Sequence, residues 1–140
     1  MAIQFFFKDQ KVTLMHRTAL KQFVSNIFIT EGKLVKSLVY VFCSDEYLLE
    51  INRTHLKHNF YTDTITFNLS ETPLEIIGEI YISVERVRDN AAGLGISTNE
   101  ELHRVIFHGV LHLCGYNDKF PKDQKEMRAA EDKYLRLYLK

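Results

Sequence analysis

The sequence has little of what would take it outside the class of ordinary globular domains. Two prolines in 140 residues are too few for a disordered or fibrous chain. Its two cysteines, Cys43 and Cys114, stand far apart and form no CxxC pair. They are expected to be small buried hydrophobes in a reducing compartment rather than a disulfide framework. No apolar run approaches the ~20 residues needed to cross a bilayer. The segment Met1 to Lys8 lacks the hydrophobic length of a secretory signal, so a cytoplasmic protein without membrane contact is expected. Net charge of one sign is absent too. Eighteen Lys and Arg balance eighteen Asp and Glu, so no global field draws the chain onto nucleic acid, and any basic footprint must be local.

What is present is a core. Hydrophobic residues make up 46% of the chain and charged ones 26%, enough for one domain over residues 1–140 that needs no disulfide. Ile3 to Phe7 reads as a short strand. Leu20, Phe23, Val24, Ile27 and Phe28 recur at spacings of three and four, which predicts a helix from Thr13 to about Ile29, stopped at Glu31-Gly32. Leu38 to Cys43 reads as a strand buried on both faces, followed by a helix that Ser44 caps and Asp45 and Glu46 favour at its first turn. His55 to Tyr61 is polar and irregular, hence a loop. Thr64 to Leu69 and Ile77 to Val84 alternate as strands. A helix from Val84 to about Ala92 ends at Gly93-Leu94-Gly95, Thr98 and Glu101 suit a capping box for the next, and Pro121 suits the first turn of a last one. The order β-α-β-α-β-β-α-α-α predicts an α+β domain: a small mixed sheet of about four strands packed with helices.

Chemistry concentrates near the end of the fourth helix. Four helical residues turn the chain through about 400°, so His108 and His112 project from nearly the same side, one turn apart. Gly115 can take a positive φ and fold the chain back, bringing Asp118 within reach six residues after His112. Two imidazoles and one carboxylate leave a fourth position of a tetrahedral zinc open, as in catalytic sites. Such an ion lowers the pKa of a bound water from about 16 to around 7, and hydrolytic chemistry follows. Two alternatives stay open on these residues alone: a helical HxxxH also arises by chance, and Asn117 also lies within reach. The pair is not the HExxH of metallopeptidases, because position 109 is glycine; the general base is missing, and Gly109 leaves room for a substrate or another helix to approach.

The run His108-Gly-Val-Leu-His112-Leu-Cys-Gly115-Tyr116-Asn117-Asp118 closely resembles the HGxLHLxGYDH signature of the YbeY family of bacterial rRNA maturation factors. Thr62-Asp63-Thr-Ile-Thr-Phe67 resembles the family's TDVLSF segment, Gly78-Glu79-Ile-Tyr-Ile-Ser83 its GDIxIS strand, and Met127-Arg128-xx-Glu131 its last-helix pattern. The resemblance spans roughly residues 38 to 139. It implies a metal-dependent endoribonuclease specific for single strands, acting in rRNA maturation, including the 3′ end of small-subunit rRNA, and in ribosome quality control. One zinc per chain, single-stranded rRNA as substrate, and the ribosome or its proteins as partners are then expected. Three positions depart from the pattern: Asp118 stands where the family usually has a third histidine, Leu56 where it has an arginine in its N-x-x-Y-R segment, and Glu79 where it has the aspartate of GDI.

The other candidates are cations. Arg53 and Lys57, from a local basic stretch with His55 and His58, are candidates to replace the arginine absent at Leu56 and to meet RNA phosphates. Arg104, one helical turn before His108, is a candidate to stabilise a transition-state phosphate; the plainer reading is a surface arginine paired with Glu100 or Glu101. Phe60 and Tyr61 can stack on bases, or one of them can be core. Asp63 can cap a turn or back a metal-bound histidine, Glu131 and Arg128 tie the last helix to the site, and His16 and His103 read as surface residues. The rival function is a non-catalytic ribosome-assembly module whose metal staples helix to loop. A hydrolase for another substrate comes third.

Overall fold

The computed structural model describes residues 2–139. Their elements follow the expected order: β1 (Ile3–Phe7), α1 (Arg17–Thr30), β2 (Leu34–Cys43), α2 (Asp45–Leu56), β3 (Thr64–Asn68), β4 (Glu75–Ser83), α3 (Val84–Leu94), α4 (Thr98–Leu113) and α5 (Pro121–Tyr138). The strands form one mixed sheet in the order β1-β2-β4-β3. β1 and β4 both run parallel to β2, and β3 runs antiparallel to β4 along its other edge. Among the described residues no helix is long and apolar enough to cross a membrane.

Alternation along the strands sorts the sheet into two unequal faces. Leu38, Tyr40 and Phe42 of β2 and Ile76, Ile80 and Ile82 of β4 are buried in the main core, with Leu20, Val24 and Phe28 of α1 and Ile106, Phe107 and Val110 of α4. The opposite face carries a smaller cluster of Cys43, Leu48 and Ile65, flanked by Tyr47, Ile51, Phe67 and Tyr81, beneath α2. Val39 and Val41 on that side are only half-buried. β2 is therefore closed on one face and partly covered on the other, not buried on both. Cys43 and Cys114 are free; burial, reinforced by Asp9 and Asp45, pushes the Cys43 thiol up to about 12.

Local boundaries shift where two residues compete for one role. α1 begins at Arg17, four positions after Thr13, because His16 takes a left-handed conformation (φ 54°) ahead of it. α2 runs on to Leu56, and Lys57 ends it with φ 57°. The cap of α4 is Ser97, whose hydroxyl accepts from the Glu100 amide; Thr98 and Glu101 are the same pattern one residue on, inside the helix. His103 is 4% exposed, not a surface residue. Its Nδ1 lies 2.7 Å from the Asn99 carbonyl, and its ring stacks on Tyr138.

Gly109 sets how closely α4 approaches the sheet. A Cβ at that position would lie 2.6 Å from Ile80 Cδ1 and 3.0 Å from its Cγ2. The space is filled by the sheet, neither by a substrate nor by another helix. Gly78 does the same from the strand side, where a Cβ would meet Leu113 at 2.8 Å.

Two stability measurements follow. Gly109→Ala should be destabilising: overpacking costs about 1–3 kcal/mol, and the gain in helix propensity returns only about 1 kcal/mol. Ile80→Val removes the clashing Cδ1, so the double variant should lose less in denaturant unfolding than the two singles added together; strict additivity would refute the contact. Burial holds the His103 pKa below 6.5, partly offset by the Asn99 carbonyl. The unfolded chain therefore takes up that proton first as pH falls, and stability drops from about pH 6.5 down through the lower folded value. His103→Gln should shrink the fall in Tm between about pH 7 and pH 5; the other histidines contribute equally to both proteins and cancel.

Candidate metal centre

The helix-to-loop turn that carries the site is a glycine cap. Gly115, at φ 106°, lets its own amide bond to the His112 carbonyl and the Tyr116 amide to the Leu111 carbonyl, both at 3.0 Å, a Schellman closure. The chain then doubles back and presents Asp118 to the two histidines. His108 Nε2 lies 3.4 Å and His112 Nε2 3.3 Å from Asp118 Oδ2, and the ligand atoms of all three residues fall within 4.8 Å of one another.

The remaining ring nitrogens are committed elsewhere. His108 Nδ1 donates to Glu131 Oε2 at 2.5 Å, and His112 Nδ1 donates to the Tyr116 carbonyl at 3.0 Å. These bonds select the tautomer with the proton on Nδ1, so both Nε2 atoms face Asp118 as lone pairs. In the neutral form three acceptors converge without a donor, and they repel one another unless a metal cation, or a proton on one imidazole, stands between them. A tetrahedral zinc with arms of about 2.0–2.1 Å spaces its ligand atoms about 3.3–3.4 Å apart, which the two measured His–Asp separations match. The donor set, two nitrogens and one oxygen backed by a carboxylate and a carbonyl, fits such an ion.

Charge around the triad points the same way. Burial works to lower the His108 pKa, but the bond and charge of Glu131, with Asp118 and Asp63, outweigh it and raise it. Burial raises the Asp63 carboxyl, a shift that His108 and local backbone amides partly oppose. Two cavities of about 330 Å³ each meet at His108, Asp63 and Asp118. One is walled by Thr62, Thr64, Thr66 and Asn68, so the polar side of β3 lines the site. Thr66 Oγ1 is buried there without a hydrogen-bond partner. The other cavity runs beneath α5 past Glu101, Arg104, Gln124, Arg128 and Glu131.

The cations proposed from sequence fall in different places. Arg104 lines the second cavity, but its guanidinium bonds Glu131 at 3.0 Å and Asp132 at 2.8 Å; the link to Glu101 is 4.0 Å, and Glu100 is not its partner. It holds Glu131, which holds His108. Arg53 donates to Asn59 Oδ1 at 2.6 Å and Lys57 caps α2, and neither lines the two cavities at the triad. Leu56 is 40% exposed. Phe60 and Tyr61 are both exposed, at 55% and 47%, so neither is core; the Tyr61 ring lies under the Arg86 guanidinium. The sequence reading undervalued Glu131: a glutamate buried between Met127 and Tyr134 on an apolar stripe was its available signal.

Glu131→Gln keeps the shape of the second carboxylate but weakens the Nδ1 acceptor. Metal affinity, titrated against a competing chelator, should fall roughly 10–100-fold; an unchanged affinity would show that Glu131 does not support the ligand.

Known proteins share this arrangement of chain. The solution structure of TM1509 from Thermotoga maritima superposes with a TM-score of 0.68 at 28% identity, covering 95% of this chain and 86% of that one. A protein of Cytophaga hutchinsonii named Endoribonuclease YbeY is 47% identical over 134 residues, 95% of this chain and 94% of its own length. One of Parabacteroides distasonis with the same name is 41% identical over 98% of this chain and 96% of its own. The family model described as Endoribonuclease YbeY matches residues 4–138, and the chain accordingly belongs to the YbeY family.

Proposed function

We propose that the protein is a metal-dependent endoribonuclease that cuts single-stranded RNA in rRNA maturation, including the 3′ end of small-subunit rRNA, and in ribosome quality control. One zinc per chain would be held by His108, His112 and Asp118, with the ribosome or its proteins as partners in the cytoplasm. The observation that carries the reading is the convergence of three ligand atoms within 4.8 Å of one another, two edges of which, 3.3 and 3.4 Å, match tetrahedral spacing, beside a cavity with a polar wall. The relatives named as endoribonucleases support the substrate class. Two imidazole donors favour zinc over a hard ion such as magnesium.

When bound, the ion supplies Lewis acidity toward water and a phosphoryl oxygen. The chain's own residues do the rest. Glu131 and the Tyr116 carbonyl fix the tautomer and tilt of the two imidazoles. Arg104 holds Glu131 in place. Gly109 turns toward Ile80, so no carboxylate base can stand between the histidines, and the usual peptidase route has no residue to carry it.

The test is direct. Purified protein should contain about one zinc per chain and cut an unstructured RNA, while leaving a duplex intact. His108→Ala and Asp118→Ala should lose both the metal and the cleavage. Metal retained with no cleavage that these variants affect would leave a structural ion stapling loop to helix; no metal at all would overturn both readings.

A further inference from the structure

We infer that Arg128 of α5 is the residue that contacts the substrate phosphate at this site; the inference rests on the nuclease reading and names the group that meets the RNA. The cavity beneath α5 is acidic, bounded by Asp63, Glu101, Asp118 and Glu131. A phosphodiester entering it adds a further negative charge. A divalent ion on the triad offsets part of that field, and a side-chain cation must offset the rest.

Two arginines line this cavity, and they are not equivalent. Arg104 has a 15% exposed side chain and spends its donors on Glu131 and Asp132 at 3.0 and 2.8 Å. Withdrawing it would strip a buried carboxylate of its partner, which is costly. Arg128 has a 57% exposed side chain, and its separation of 3.7 Å from Glu131 Oε1 is beyond hydrogen-bond reach. Its guanidinium is thus held near the cavity by charge while its donor fork stays available, and a phosphate matches that fork in two parallel bonds. Met127 fixes the geometry: it is 2% exposed, anchors that turn of α5 in the core, and leaves its neighbour at the cavity mouth. Gln124, one turn earlier, lines the same cavity and offers a neutral donor beside it.

The experiment compares wild type, Arg128→Ala, Arg128→Lys and, as a matched loss of charge outside the cavity, Lys133→Ala. Each zinc-loaded protein is titrated with a 2′-O-methylated single strand at several salt concentrations, its metal content is measured, and cleavage of the unmodified strand is followed. Arg128→Ala should weaken binding roughly 10–100-fold and lower the slope of log K against log salt by about 0.7, with metal content unchanged. Arg128→Lys should restore the slope but only part of the affinity, and Lys133→Ala should behave as wild type. Wild-type affinity and slope in Arg128→Ala would overturn the inference. So would a parallel loss of metal, which would mean that Arg128 acts through Glu131. A wild type that binds RNA through Arg128 and never cuts it would overturn the nuclease reading and leave this one standing.

Discussion

The closeness of α4 to β4 at Gly109 is the constraint on which the site depends. With only hydrogen on Cα, the helix can rest against Ile80 of the sheet, and the side chains about 60–100° to one side of it around the helix are then aimed past its edge. His108 and His112 are those side chains. They leave the core at the point where β3 flanks β4, so one wall of the site is the polar side of an edge strand. The helix ends within a turn of His112, and Gly115 returns the chain as the third ligand requires. A bulkier residue at 109 would displace both imidazoles relative to β3 together, since the helix carries them as one rigid body.

Around that scaffold the charges are arranged in a chain rather than as separate pairs. Asp132 and Glu131 hold Arg104, Glu131 holds His108, and His108 with His112 faces Asp118. A second chain reaches the other imidazole. Glu31, at the end of α1, accepts from the Tyr116 and Tyr134 hydroxyls, and the Tyr116 carbonyl accepts from His112. Each imidazole is therefore tied to a different part of the fold, one to α5 and one to the end of α1. Ligands steered from two sides lose less freedom on binding an ion, which is the physical content of preorganisation.

Much of this was legible in the sequence because local rules decided it. Helical periodicity put His108 and His112 on one side, and the glycine at 115 could only mean a turn. Ser44 and Pro121 marked helix starts that the structure keeps. The rest turned on contacts between distant segments. Ser97 and Thr98 are both competent caps, each followed three residues later by a glutamate, and only packing chose the first. His103 looked like a surface group because nothing local showed that Tyr138 would cover it. Arg104 had a glutamate three residues before it in sequence, yet its stronger partners lie 27 and 28 positions away. The alternation of β3 put Thr64, Thr66 and Asn68 on one side, but the pattern of one strand cannot say that His108 and His112 lie opposite.

The departures at Leu56 and Asp118 bear on one quantity, the positive charge available to an anionic substrate. A carboxylate ligand leaves the bound divalent ion with less net charge than a neutral imidazole would, and Leu56 brings no cation. Arg104 does not make up the deficit, because its charge is consumed by Glu131 and Asp132. Arg53 and Lys57 lie outside the cavities at the triad. Among the described residues lining those cavities, Arg128 is left as the cation whose donors are not already spent. An acidic pocket with one movable guanidinium at its mouth favours a strand that can bend its backbone to meet both ion and arginine. A duplex, with its phosphates held at fixed spacing, has no such freedom, and the proposed single-strand preference would follow from this placement of charge.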